Sequence, residues 1–342
     1  MGGTDKKKTI DTVARKAGVS VSTVSRVMNN PEMVKEDKRL RVLKVMEELE
    51  YSPSPLARGL ATDSLGLIGI IVPNITNQAN ARIVYAAMDR LEKKGMGVML
   101  FDAREDLERE LTIYRTLPKK MIDGVIVIFG NGEEEDYTRL AEDLPLVLAG
   151  PPAVGIPVDQ LSSNEGQGFQ NLVQYFYEMG HRDIAFLYGS DKTKGGVRRK
   201  NLFKRTMEDF GLKAPGHHLL NCPWTLEGGY EGAARLLKQG ELPGAVISSS
   251  DQIAIGAMRR FQEYGLHIPS DISVAGFDNS PMARFVTPSL TSLDFPHSRM
   301  GEEAAELIIR RIQNRKKTPA RIILPLEVVS RESTAPPEKH SG

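Results

Sequence analysis

Gly18-Val-Ser-Val-Ser-Thr-Val-Ser-Arg-Val-Met-Asn-Asn30 decides how the first part of this chain is read. On a helix that begins at Ser20, Val24, Val27 and Met28 share one side, and Val21, Ser22, Ser25, Arg26 and Asn29 share the other, because residues three and four apart lie over one another. Only the first set suits a core. Upstream, Thr9 can cap a helix carrying Ile10, Val13, Ala14 and Ala17, and Gly18 supplies a sharp exit into the second helix. A third helix near Lys35 to Glu50 offers Leu40, Leu43, Val45, Met46 and Leu49 to pack on the first two. The expectation is a three-helix headpiece over residues 1–51 built around a helix-turn-helix.

The bare face of the second helix has the chemistry of a base reader. Ser22 and Arg26 point the same way, so in a major groove Arg26 can fork onto a guanine edge while Val21 meets a thymine methyl. Any small helical bundle has a solvated face and a glycine turn, so charge is needed to discriminate. Residues 1–62 hold twelve Lys and Arg against eight Asp and Glu, whereas the remainder holds 33 against 36. The basic excess sits where phosphate neutralisation requires it.

With 342 residues, two or three domains are expected. The lone cysteine, Cys222, excludes an internal disulfide and fits a reducing compartment. Met1 to Lys8 is polar and basic with no apolar stretch behind it, so no secretory signal or membrane span is read, and a cytoplasmic location is expected. The six histidines show no metal-ligand spacing, no G-x-S-x-G or phosphate-cradling loop is present, and Cys222 lacks the context of a nucleophile. Gly130 to Asp136 reads as a turn before a solvated acidic helix start, not a calcium loop. Neither an enzyme nor a bound metal or cofactor is expected.

Residues 52–64 read as a linker with prolines and small residues. Composition favours a flexible tether with one leucine packed on the next domain. The alternative is a short helix from Pro55 through Leu56, Ala57 and Leu60, ordered only when two copies meet on DNA and Leu56 wedges into a minor-groove step. From Leu65 onward, apolar runs at 67–72, 98–101, 124–129, 146–149, 184–188, 245–248, 272–276 and 322–326 alternate with helical stretches. That rhythm implies parallel sheets covered on both faces. Val158 to Gly166 interrupts it, and a second series follows, so two α/β lobes with a cleft at the carboxyl ends of their strands are expected.

Several segments together resemble the lactose-repressor (LacI/GalR) family. They are Thr9-Ile-Asp-Thr-Val-Ala14, the Val19 to Asn29 run, Glu47-Glu-Leu-Glu-Tyr51, Pro53 through Leu60, Ile68-Gly-Ile-Ile-Val-Pro73, Gly180-His-Arg-Asp-Ile-Ala185, Ser250 to Ala257, Ile268 to Asp278 and Arg331-Glu-Ser-Thr334. The likeness extends from residue 9 to about 334. It implies a sequence-specific repressor with a core similar to periplasmic binding proteins, its first lobe near 65–163 and 294–325 and its second near 164–293 and 326–334. Val21, Ser22 and Arg26 would read bases, Thr9, Ser20, Thr23, Ser25, Asn29, Tyr51 and Ala57 would join the DNA-contacting set, and Leu56 would intercalate, which reverses the preference for a passive tether. The implied partners are a pseudo-palindromic double-stranded operator, a second copy paired through the elements around 81–91 and 255–264, and a small effector in the cleft. The ending, residues 335–342, lacks a leucine heptad and is expected to be a disordered tail, so a dimer is anticipated.

The resemblance also nominates effector contacts. Arg199 matches an arginine that grips ligand hydroxyls or carboxylates, Asp251 an aspartate that accepts from hydroxyls, and Trp224 an aromatic that closes on the ligand face; Asn77 and Asn164 join the set, and Phe129, which as a residue type more often packs in a core, is added for its place at the end of a first-lobe strand, where it can restore an aromatic contact. A donor fork, a fixed acceptor and a ring suit a sugar or sugar derivative. Three departures from the family complicate that choice. Gln78-Ala79-Asn80 stands where aromatics are usual, Ser163-Asn164-Glu165 where Val-Asp-Asn is common, and Ser250 where asparagine is common. A protein or nucleobase corepressor that tightens DNA binding is the alternative.

Overall fold

A computed structural model describes residues 9–29, 31–51, 65–153 and 155–337. The chain divides into two compact units at Leu65/Gly66. The first comprises α1 (Ile10–Ala17), α2 (Val21–Asn29) and α3 (Glu36–Glu48), with a 3-10 turn at Pro31–Met33. Thr9 caps α1 by accepting from the Thr12 amide, and Gly18 ends it at φ 64°, a left-handed conformation that costs glycine little. Val13, Ala14, Ala17, Val24, Val27, Val42 and Val45 form its core.

The third helix departs from the expected packing. Leu40 and Leu43 are 57% and 47% exposed, and Val42 takes the inward place. One residue along a helix rotates a side chain by about 100°, so a stripe through Val42, Val45 and half-buried Met46 and Leu49 turns Leu43 away. Leu56 and Ala57, with the rest of the 52–64 segment, lie outside the described residues.

The second unit contains two six-stranded sheets. One has the order β11-β5-β4-β3-β1-β2, built from β1 (Leu67–Val72), β2 (Gly97–Asp102), β3 (Gly124–Ile128), β4 (Leu146–Ala149), β5 (Asp159–Ser163) and β11 (Arg321–Leu324). The other, β12-β10-β9-β8-β6-β7, uses β6 (Ile184–Tyr188), β7 (Leu219–Asn221), β8 (Ala245–Ser248), β9 (Ser273–Phe277), β10 (Thr291–Asp294) and β12 (Glu327–Val329). All pairings are parallel except β10 with β12. Helices α4 (Gln78–Glu92), α5 (Leu107–Thr116), α6 (Glu134–Asp143) and α11 (His297–Gln313) belong with the first sheet. Helices α7 (Glu165–Met179), α8 (Lys194–Asp209), α9 (Leu226–Leu237) and α10 (Asp251–Glu263) belong with the second. The chain passes between sheets after β5, between β10 and α11, and between β11 and β12.

Strand β5 occupies the stretch where the sequence rhythm breaks. Its residues Asp-Gln-Leu-Ser-Ser are all buried, because their polar groups have partners: Asp159 receives Arg311 Nε at 2.7 Å and the Ala320 amide at 2.7 Å, and Gln160 exchanges hydrogen bonds with Ala153. Burial of polar groups is tolerated when each is hydrogen-bonded. The ending likewise differs from expectation as far as Pro337. Ala335 O accepts from His181 Nε2 at 2.9 Å, and its amide donates to Ser273 Oγ at 3.1 Å, which ties 335 onto the second sheet. Among the described residues no helix is long and apolar enough to cross a membrane.

Candidate functional site

In the headpiece, the residues that read as base contacts stay at the surface. Val21 is 39% exposed, Ser22 and Arg26 are exposed, and Thr23 and Ser25 are half-buried on the flank. Ser20 is the N-cap: its Oγ accepts from the Thr23 amide at 3.2 Å and lies 2.9 Å from both Ser22 Oγ and Thr23 Oγ1. The hydroxyls at the start of α2 are thus a preformed cluster. At a helix N-terminus, where unpaired amides carry partial positive charge, such a cluster suits a phosphate or base edge. Thr9 serves as the α1 cap, half-buried Tyr51 packs on the headpiece core, and Asn29 is the last residue of α2.

Between the lobes of the second unit lies a cleft with a cavity volume of about 110 Å³. Asn77, Phe129, Arg199 and Trp224 line it as anticipated from the sequence. Asn77 caps α4, its Oδ1 accepting from the Ala79 amide at 2.9 Å. Phe129 follows β3 at φ 47° and meets Phe295 edge-on at 5.9 Å. Trp224 packs directly against Gly189, where an added Cβ would fall 1.9 Å from its ring.

Two anticipated contacts are placed elsewhere. Asn164 is exposed and caps α7 by accepting from the Gln167 amide at 3.2 Å; the next residue, Glu165, lines the cleft instead. As the cap, the Asn164 side chain turns back onto the helix's own first-turn amide, which leaves Glu165 as the inward residue of the pair. Asp251 lines a smaller neighbouring recess with Arg82 and Gln252. Its carboxylate is buried and turned onto its own lobe, accepting from Ser292 Oγ at 2.6 Å and the Ser280 amide at 2.6 Å. Burial, with the charge of Asp278 adding to it, pushes the Asp251 carboxyl up to about 7.

The structure also brings in residues that the sequence did not single out. Glu165 sits between two arginines. Its Oε1 accepts from Arg199 Nε at 3.1 Å and Nη2 at 2.7 Å, and its Oε2 from Arg198 Nη1 at 2.6 Å. Burial alone would raise this carboxyl, yet the two guanidiniums hold it below the usual glutamate value. Arg199 Nη1 donates to Ser249 O at 2.6 Å, and the guanidinium stands 3.7 Å over the Phe277 ring. Asp278 faces the cleft at φ 119°, and His297 lies 3.4 Å from its Oδ1. Non-glycine residues in such conformations concentrate at ligand sites, where the surroundings hold them.

The two lobes touch across the cleft mouth. The Lys194 amide donates to Asn131 Oδ1 at 3.1 Å, and Lys194 Nζ donates to Gly132 O at 2.7 Å and pairs with Glu133 at 3.0 Å. Buried Glu110 fixes that first-lobe loop by accepting from the Asn131 amide at 2.8 Å and from the Tyr114 hydroxyl. Of these residues only the Asn164-Glu165 departure left a trace in the sequence. Asn131 and Asp278 lie in connections after β3 and β9, and Lys194 and His297 open α8 and α11; no local pattern encodes their convergence.

The headpiece segment, residues 9–54, matches the family described as "Bacterial regulatory proteins, lacI family", and residues 173–334 match a periplasmic binding protein-like domain. Catabolite control protein A of Priestia megaterium is 30% identical over 95% of this chain and 99% of its own. The transcriptional repressor PurR of Histophilus somni (strain 129Pt) is 32% identical over 95% and 98%. The fold is similar to the lac repressor dimer bound to operator and the anti-inducer ONPF, with TM-score 0.87 and 25% identity over 96% of this chain and 99% of that one. These relatives are regulators, not enzymes. The chain belongs to the LacI family and is a DNA-binding transcriptional regulator.

Proposed function

We propose that this regulator is a homodimeric repressor that reads a pseudo-palindromic operator through α2, and that an uncharged, hydroxyl-rich effector of the sugar class sets its operator affinity. One observation carries the effector class: each lining cation already has a carboxylate partner. Arg198 and Arg199 share Glu165, and Lys194 holds Glu133. An anionic ligand would have to displace a built ion pair, whereas a polyol needs only hydrogen-bond partners and an apolar wall. Asn77, Asn80, Asn131, Thr193 and Asp278 supply the former, and Phe129, Phe295 and Trp224 the latter.

Large exposed apolar side chains support pairing of two copies. Tyr85 and Met88 project from α4, and Tyr264, Met282 and Phe285 from the second lobe, with Phe285 81% exposed. Paired copies would place two α2 helices on successive major grooves, about 34–36 Å apart. Lobe closure about the effector then shifts the population of DNA-competent dimers by a coupling of about 1–3 kcal/mol. A second reading, a nucleobase corepressor that tightens binding, is favoured by a lining that offers the rings of Phe129 and Trp224 together with the Asp278 carboxylate.

Operator affinity on a duplex selected from random sequence, titrated with neutral sugars, sugar phosphates and purines, tests the proposal. A neutral sugar that weakens binding about 5- to 150-fold supports it. Tightening by a purine selects the second reading, and no response to any of the three classes overturns effector control by the cleft.

A further inference from the structure

Glu165 is the feature of the cleft that best explains which ligands it refuses. It is the first residue of α7 and only 4% exposed, yet it carries a full negative charge between two guanidiniums. Guanidinium has five N–H donors. Arg199 commits three of them, two to Glu165 and one to Ser249 O, and its face is covered by Phe277. Little of it is left to bind a ligand charge.

The sequence shows how this arrangement arises. At the start of α7 this chain has Asn164 and then Glu165. The amide at 164 faces solvent and caps the helix, and the carboxylate of the next residue is buried in the cleft wall. There it meets both arginines. A carboxylate in that place supplies the countercharge of buried Arg199, whose other partners are the uncharged Ser249 O and the Phe277 ring, and of half-buried Arg198.

We infer that Glu165 is a specificity-determining residue, an internal anion that occupies the arginine site and makes the cleft reject phosphorylated or carboxylated effectors. This rests on the cleft being the effector site. Removing the charge while keeping the shape should expose Arg198 and Arg199 to an external anion, which would take over the role of the lost carboxylate.

Trp224 makes the test direct, because it is the only tryptophan in the chain and its ring lies 5.7 Å from the Arg199 guanidinium. Full-length wild type, Glu165→Gln and the double variant Asn164→Asp/Glu165→Asn are titrated with inorganic phosphate and with D-gluconate at constant ionic strength, following tryptophan emission. Melting temperature is recorded in parallel with and without phosphate. The expected result is anion binding at least about tenfold tighter in the variants, with phosphate raising their melting temperature and leaving that of wild type unchanged. Equal affinity in wild type and a folded variant overturns the inference, and so does tight binding of either anion by wild type itself. Failure of neutral sugars to alter operator binding would instead sink the sugar-class reading, and it leaves the anion comparison standing.

Discussion

Replacing Gly189 by alanine tests whether Trp224 forms a wall of the cleft proposed to hold the effector. Gly189 has no left-handed backbone conformation, so alanine meets no φ penalty there, and the effect is steric. The added Cβ would lie 1.9 Å from Cζ2 and 2.1 Å from Cε2 of the Trp224 ring. Ordinary carbon–carbon contact is about 3.5–4.0 Å, so the ring must retreat by roughly 1.5–2 Å or swing out of its place. Overpacking of this kind costs about 1–3 kcal/mol when the structure cannot relax. Swinging the ring out limits that cost but removes an aromatic face worth about 0.5–1.5 kcal/mol to a bound ligand, or roughly 2- to 13-fold in affinity. Because the chain has one tryptophan, the assay is unambiguous: emission should shift to longer wavelength as the ring meets water, and effector affinity should fall by that factor. Gly216→Ala is the control, since its Cβ enters open space. An unshifted emission maximum with unchanged effector affinity in Gly189→Ala would refute the reasoning, because the ring could then not be where the geometry puts it.

Asp251 predicts a pH dependence. An acid whose folded value is raised favours the folded state in its protonated form, so this contribution is fully present below about 3.8 and is lost as pH rises towards about 7. Asp251→Asn, which can still accept from the Ser280 amide and donate to Ser292 Oγ, should flatten the stability profile over that window and gain up to about 4 kcal/mol at pH 8. Chemical denaturation from pH 5 to 8 reads this directly, and an unchanged slope in the variant would contradict the assignment. In the headpiece, where Arg26 is exposed, the proposed contact of its side chain with a base edge predicts that Arg26→Ala weakens binding to the selected duplex by about 1–3 kcal/mol and relaxes preference at one base pair. Footprints indistinguishable from wild type would remove Arg26 from the reading set.

The helix-turn-helix was legible because its signals are local. Caps at Thr9 and Ser20, a glycine at Gly18 and the split between Val24, Val27 and the polar face all act within a few residues of one another. Register on α3 was less so: Leu40 and Leu43 are as apolar as Val42, and only docking against α1 and α2 chose which stripe turned inward. Strand β5 was hidden because its burial depends on Arg311 and on the Ala153 and Ala320 backbone, groups remote in sequence or outside any periodic pattern.

For the cleft, sequence sufficed to nominate Asn77, Arg199 and Trp224, which the resemblance to a family singled out, and Phe129, from its place at a strand end; all four line one cavity. It could not tell that Asn164 faces outward, that Asp251 is turned onto its own lobe, or that Arg199 is already held by Glu165. Local pattern determined the caps, the alternation of strand and helix and the location of the basic excess, because those depend on neighbours along the chain. Tertiary structure alone decided which charges meet, because Coulomb attraction and desolvation depend on distance and burial, and the cleft's partners come from connections far apart in sequence.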